Sequence, residues 1–240
     1  MVNYKKYLDI EVFEGEISSH QYPWHFHNSY TFIFVEKGSV FYELKERSMQ
    51  IGEAEILIIE PFKVHRNIIS QTTFYKAYFI PQEYFAREEK NIVITQKVNN
   101  PNAVYRIKNL LNKINQNYSR RELEELMIEI GESIDQPQTA YLREKPDNMN
   151  IIPELNHDLT IEELAKEATL SKFHFQRKFK KECGLTIGQL KQQEKTIKAK
   201  NLLENGKLST DVAYELGFFD QSHFIKYFKK MWAITPKNFK

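Results

Sequence analysis

Cysteine occurs once in the 240 residues, at Cys183. That excludes an intramolecular disulfide and any multi-cysteine metal site, and fits a reducing, cytoplasmic compartment. Long apolar runs are missing as well. The longest unbroken aliphatic stretch, Ile56 to Ile59, ends at Glu60, far short of the roughly 20 residues a membrane span needs, so no membrane partner is expected. The first residues, Met1 to Lys6, run into Asp9 and Glu11 without an apolar core, so no secretory signal is expected. What is present is ordinary for a globular chain: 41% hydrophobic and 28% charged residues, which excludes disorder as the main state. At roughly 150 residues per domain, two compact units are expected.

The net charge of +2 is unevenly shared. Residues 158–240 carry 16 Lys and Arg against 10 Asp and Glu, whereas residues 1–157 hold 18 basic and 22 acidic side chains. A mildly acidic front and a basic tail point to two jobs, with the tail suited to a polyanion. A solvated surface would carry the same surplus.

The front reads as short strands. Thr31 to Val35, Val40 to Leu44, Ile56 to Ile59 and Phe74 to Ile80 are rich in β-branched and aromatic residues, separated by Lys37-Gly38-Ser39, Gly52-Glu53 and Pro61. Regular spacing without intervening helices predicts an antiparallel sandwich or barrel over residues 1–100. From Pro101 the period changes. Ala103, Ile107, Leu110, Leu111 and Ile114, then Leu123, Leu126, Met127, Ile130 and Ile134, predict a helical hairpin over 101–135. It would cover the open side of the barrel, form a dimer interface, or both. Residues 136–157, polar and punctuated by Pro137, Pro146 and Pro153, read as a linker.

Residues 158–240 read as helical throughout. Thr160 and Glu163 form a capping box ahead of Ile161, Leu164, Ala165 and Ala168. Thr169-Leu170-Ser171 breaks that helix, and Ser171 can cap a second through Lys181, burying Phe175 and Phe179. Helix, tight turn, helix is the DNA-reading unit. It recurs at an offset of 49 residues: His174-Phe175 returns as His223-Phe224, Phe179-Lys180-Lys181 as Phe228-Lys229-Lys230, and Thr186 as Thr235. Between the copies, Leu190 to Glu204 lacks Gly and Pro and forms a rod of roughly 22 Å at 1.5 Å per residue, suited to setting two reading helices about 34 Å apart.

With Phe175 and Phe179 inward, Phe173, Gln176, Arg177 and Lys180 lie on the open surface. Arg reads guanine bidentately, Gln reads adenine or phosphate, and Phe packs on a thymine methyl. In the second copy Gln221, Ser222, Ile225 and Lys226 take that surface, a set poorer in bidentate donors and suited to holding backbone. Lys172, Lys178, Lys181, Lys229 and Lys230 flank both helices as phosphate contacts.

These residues resemble the DNA-binding domain of the AraC/XylS family of bacterial transcription regulators. The resemblance rests on Ser171 to Lys180, on Gly217-Phe218 with Asp220 to Phe224, and on Thr235-Pro236. It implies two helix-turn-helix units joined by one helix, with base contacts from Phe173, Gln176, Arg177, Gln221, Ser222 and Lys226. Ala233 stands where the family usually has Gly, Lys195 and Lys240 where Arg is common, and the second unit starts one residue short. The front half resembles the small-molecule-sensing cupin barrel of many members, through His25-Phe26-His27, Gly38, Gly52 and Pro61 to His65. The whole chain is thus expected to be α+β and multidomain, with a cupin-like barrel and hairpin before an all-α tail.

His25 and His27, at i and i+2, leave the same face of a strand, and His65 could join them as a zinc, iron or nickel site. Metal-binding cupins usually add a Glu four or five residues after the second His; here Thr31 and Phe32 stand there, which argues against a metal, and no cofactor is expected. The favoured reading is an effector pocket with His25, His27, Glu60 and His65 as polar groups and Tyr22, Trp24, Tyr30, Phe34 and Tyr42 as walls. The chain then reads as a DNA-binding regulator, not an enzyme, with double-stranded DNA, a small-molecule effector, a second copy of itself and, for an activator, RNA polymerase as partners. The alternative is a metal-dependent cupin dioxygenase or isomerase with a helical appendage.

Overall fold

The computed structural model describes residues 2–85, 95–114, 117–134 and 159–239; the expected linker, 136–157, lies outside them. Among the described residues ten strands come first: β1 (Val2–Tyr7), β2 (Ile10–Ile17), β3 (His20–Gln21), β4 (Ser29–Lys37), β5 (Ser39–Leu44), β6 (Ser48–Gly52), β7 (Ile56–Ile59), β8 (His65–Ile69), β9 (Thr73–Pro81) and β10 (Gln96–Val98). They form two antiparallel sheets, β1-β2-β9-β4-β7-β10 and β3-β8-β5-β6. The antiparallel pairing is as expected. The described strands divide between two sheets, so closure of the barrel is not confirmed.

Alternation along β4 shows how the layers stack. Every residue from Ser29 to Val35 is buried, because both faces of the larger sheet are covered. Tyr30, Phe32 and Phe34 join a core with helices α1 (Pro101–Lys113) and α2 (Arg120–Glu132). Ile33 and Val35 face the smaller sheet with Tyr42, Ile51 and Ile69. The hairpin therefore covers the outer face of the larger sheet, through Ile107, Leu111, Leu123, Met127 and Ile130. Asn100 caps α1, and Ser119 with Glu122 closes a capping box on α2. The β4–β5 turn needs its glycine: Gly38 has φ +88, and a Cβ there would meet the Thr73 Oγ1 at 2.8 Å.

Among the described residues five helices follow: α3 (Ile161–Glu167), α4 (Lys172–Cys183), α5 (Ile187–Glu204), α6 (Ser209–Glu215) and α7 (Gln221–Trp232). Thr160, Ser171 and Thr186 cap α3, α4 and α5, and Asp220 caps α7. The 49-residue repeat reaches the C-caps. Gly184 ends α4 at φ 82, and its counterpart Ala233 ends α7 at φ 59, so Ala233 holds a left-handed conformation for which Gly is the unstrained residue. The second unit's first helix is capped differently: α6 starts after Leu208, which offers no side-chain oxygen.

Candidate effector cavity and DNA interface

The two reading helices are gripped at one end and open at the other. Lys45 Nζ donates to the Lys181 carbonyl near the C-terminus of α4 at 2.7 Å, and His20 Nε2 donates to the Lys230 carbonyl of α7 at 2.9 Å. Cationic and N–H donors suit the partly negative C-terminal end of a helix. The outward faces of α4 and α7 carry the exposed side chains. Phe175, Phe179, Phe224 and Phe228 are buried, while Arg177, Lys180, Gln221, Ser222, Lys226 and Lys229 are exposed, Gln176 is half-buried and Phe173 is 75% exposed. Among the sequence-derived DNA contacts, Gln221 has a protein partner: its Nε2 donates to the Ser209 Oγ at 2.7 Å. Of the flanking lysines, Lys172 pairs with Glu162, and Lys178 lies 3.9 Å from Glu182. Tyr214 and Phe219, both about nine-tenths exposed, extend the second unit's open surface. Their exposed positions, one in a seven-residue helix and one in a turn, were not distinguishable in the sequence.

The rod, α5, has 18 residues and a length of about 27 Å, longer than the stretch from Leu190. One stripe of it is buried: Ile187, Leu190, Gln193, Thr196, Ala199 and Lys200. Two polar members of that stripe, Gln193 and Lys200, meet the strand domain. Gln193 Nε2 donates to the Phe26 carbonyl at 2.7 Å, and Gln193 Oε1 accepts from the Phe26 N–H at 3.3 Å. Lys200 pairs with Glu11 of β2 at 2.5 Å and lies 5.1–5.9 Å from the rings of Trp232, Tyr4 and Phe239.

Between this seam and the two sheets lies a cavity of about 640 Å³, a size that suits a small organic ligand. Tyr22, His25, His27, Thr31, Ile33, Tyr42, His65, Tyr75 and Phe79 line it from the sheets, and Gln193, Ile197, Lys200 and Asn201 line it from α5. The three histidines meet because His25 and His65 form a hydrogen-bonded antiparallel pair, with 2.9 Å bonds in both directions. His27 follows two residues on. Ring centroids are 4.3 Å apart for His25 and His65, 5.0 Å for His25 and His27, and 5.4 Å for His27 and His65. Burial holds His25 at a pKa of about 4 and pushes His27 and His65 well below the ordinary value; neighbouring rings add to the effect at His27 and His65, and Lys200 adds to it at His27.

Three expected pocket residues lie elsewhere, along with one expected wall. Tyr30 and Phe34 point to the hairpin side of β4 because they alternate with Thr31 and Ile33. Trp24 packs at the edge of the α3–α4 core with Arg66 over its ring. Glu60 turns to Thr95, accepting from the Thr95 N–H at 3.3 Å. Residues that the sequence reading passed over, Glu11, Gln193, Ile197 and Lys200, close the cavity instead. Nothing in the periodicity of α5 marks them, since its polar and apolar residues share one face.

Residues 7–131 match the AraC-like ligand binding domain, and residues 164–240 match a helix-turn-helix domain. The uncharacterized HTH-type transcriptional regulator YbfI of Bacillus subtilis is 24% identical over 237 residues, covering 90% of this chain and 86% of that protein. The probable transcription factor PqrA of Proteus vulgaris is 34% identical over 86 residues, covering 35% of this chain and 70% of that protein. Among solved structures, fatty acid-bound ToxT of Vibrio cholerae superposes with a TM-score of 0.59 at 12% identity, covering 98% of this chain and 95% of ToxT. No described helix is long and apolar enough to cross a membrane. With a ligand-binding domain ahead of two solvent-facing helix-turn-helix units, this chain belongs to the AraC family and is an AraC-type transcriptional regulator.

Proposed function

We propose that a small amphipathic effector enters the cavity between the sheets and α5, and that its arrival changes how the two reading helices are presented to DNA. The observation that carries this is the double role of α5. The helix that joins the two heads is also a wall of the cavity, through Gln193, Ile197, Lys200 and Asn201. An occupant therefore touches the DNA-reading domain directly. Aromatic walls such as Tyr22, Tyr42 and Phe79, with a polar cluster at His25, His27 and His65, suit a molecule with an apolar body and a polar end. The unsaturated fatty acid named with ToxT is of that sort.

In this reading Phe173, Gln176 and Arg177 specify bases, and Lys180, Gln221, Ser222, Lys226 and Lys229 hold the backbone or support the second half-site. Residues 1–100 with the 101–135 hairpin form the sensor, 136–157 the linker and 158–240 the DNA-binding domain. Two copies pair through the hairpin, whose α1 exposes Tyr105. The chain works in the cytoplasm, carries no catalytic function, and contacts RNA polymerase if it activates. The test is a mobility shift on the DNA upstream of its own gene, with and without candidate amphipathic ligands first selected by thermal shift. His27→Ala should leave ligand-free DNA binding intact and abolish the ligand's effect. A variant that still responds removes His27 from the effector site.

A further inference from the structure

We infer that His25, His27 and His65 bind one divalent transition-metal ion of the zinc, cobalt or nickel class, with its remaining coordination positions open to the cavity. One ring nitrogen from each histidine lies within 4.8 Å of the others. The missing glutamate argued against this in the sequence, but the geometry supplies what a metal needs in another form.

First, two rings are already fixed in the ligating tautomer. His25 Nδ1 lies 2.8 Å from the Pro23 carbonyl, and His65 Nδ1 lies 2.8 Å from the Lys63 carbonyl. A carbonyl only accepts, so Nδ1 carries the proton in each ring and Nε2 keeps a free lone pair. Outer hydrogen bonds of this kind orient metal-bound histidines. Second, the site is withdrawn from bulk water: His25 and His65 are buried and His27 is half-buried, so a single small ion would meet all three donors at the cavity wall. Third, the glutamate position is held by Thr31, which lines the same cavity and whose buried Oγ1 has no hydrogen-bond partner among the described residues. A buried hydroxyl left unpaired is costly, and water or an effector oxygen on the ion would satisfy it. Three nitrogen donors without a carboxylate favour a borderline transition metal over calcium or magnesium. Three protein ligands with an open fourth position form the pattern that lets an exogenous donor bind the ion.

The site is also tied to the DNA-reading half. Phe26, between two of the ligands, is hydrogen-bonded through both its backbone groups to Gln193 of α5. The ion's role as an anchor for the effector's polar end rests on the reading of the cavity given above; its binding does not.

The test uses untagged full-length protein, stripped with chelator and titrated with Co2+. One equivalent should bind, with visible absorption from a four- or five-coordinate ion and with hyperfine-shifted imidazole proton resonances from three rings. Zn2+ should displace it. His27→Gln and His65→Gln should each weaken binding by at least ~100-fold, more than loss of an outer-shell partner costs, while His223→Gln leaves it unchanged. Circular dichroism establishes that the variants are folded, and the resonances identify the ligands in the unaltered chain should a variant unfold. Absence of stoichiometric binding, or binding without shifted imidazole signals, overturns the inference. These readouts involve neither DNA nor effector. A protein that binds Co2+ through the three rings but shows no ligand-dependent DNA shift would overturn the effector reading alone.

Discussion

The Lys200–Glu11 pair lets the seam between the two halves be tested quantitatively, because its two members are unequally buried. The Lys200 side chain is 5% exposed and that of Glu11 is 30% exposed. Glu11→Gln keeps the shape but leaves an ammonium buried, with Glu204 at 3.8 Å as the remaining carboxylate partner among the described residues. Stripping one partner from a buried pair costs about 3–5 kcal/mol. With the three rings and Glu204 still in place, about 2–4 kcal/mol is expected. Lys200→Met keeps the aliphatic stem and leaves Glu11, which reaches water, so about 1–2 kcal/mol is expected from the lost pair and ring contacts. The double variant should therefore be more stable than Glu11→Gln alone, a non-additivity expected of contacting residues. Urea titration followed by tryptophan fluorescence reads this locally, because Trp232 lies 5.1 Å from Lys200. Circular dichroism gives the global transition, so loss of coincidence between the probes is itself visible. If Glu11→Gln is no worse than Lys200→Met, the ammonium is not buried against the strand domain and the seam is wrongly described.

Four further outcomes are expected. Arg177→Ala should cost about 1–3 kcal/mol on the specific site and little on random DNA, whereas Lys229→Ala should weaken all sequences alike and lower the salt slope by about one; competition binding separates them. Gln193→Leu should strip two buried hydrogen bonds from Phe26, destabilising by about 2 kcal/mol and blunting the effect of ligand on DNA affinity. In metal-free protein, His25, His27 and His65 have folded pKa values below their unfolded value near 6.5. Their contribution is therefore complete above that value and is lost as pH falls towards about 4 for His25, by about 1.4 kcal/mol per pH unit for each site titrating only when unfolded; urea midpoints between about pH 7 and pH 5 measure it. Thr169 sits at φ 54, where a β-branched residue is strained, so Thr169→Gly should raise stability by about 0.5–1 kcal/mol in a thermal melt.

What could be read from the sequence follows how local each signal is. The repeat was legible because caps, turns and buried aromatics sit at fixed offsets along the chain, and Ser171, Asp220, Phe175 and Phe224 all occupy the expected places. The hairpin was legible from its 3.6-residue period. Of the strands, β4, β5, β7 and β9 stood out by composition. By contrast, β1 and β2 carry Lys, Glu and Gly among their apolar residues, and β10 has three residues. The face of β4 was not legible at all. An unbroken buried run has no alternation to say which set of side chains meets the hairpin and which the cavity, and so Tyr30 and Phe34 were placed on the wrong side. Glu60 and Trp24 failed for a different reason: their partners, Thr95 and Arg66, are fixed by strand pairing and not by spacing.

The least legible residues, Gln193 and Lys200, are the ones that make the seam sensitive to position. Apolar residues at those positions of α5 would dock the DNA-reading domain by area alone, and a shift of a few tenths of an ångström would cost little. A buried amide and a buried ammonium behave otherwise. Their contribution depends on donor–acceptor distances near 2.7–3.3 Å, and a displaced partner leaves a desolvated group that costs more than the bond contributed. An occupant or ion that moves His25–Phe26–His27 against Gln193 therefore changes the docking energy steeply over a short distance. Hydrogen-bonding groups at one face of the rod thus make the docking more sensitive to a small displacement than an apolar seam of the same area would be.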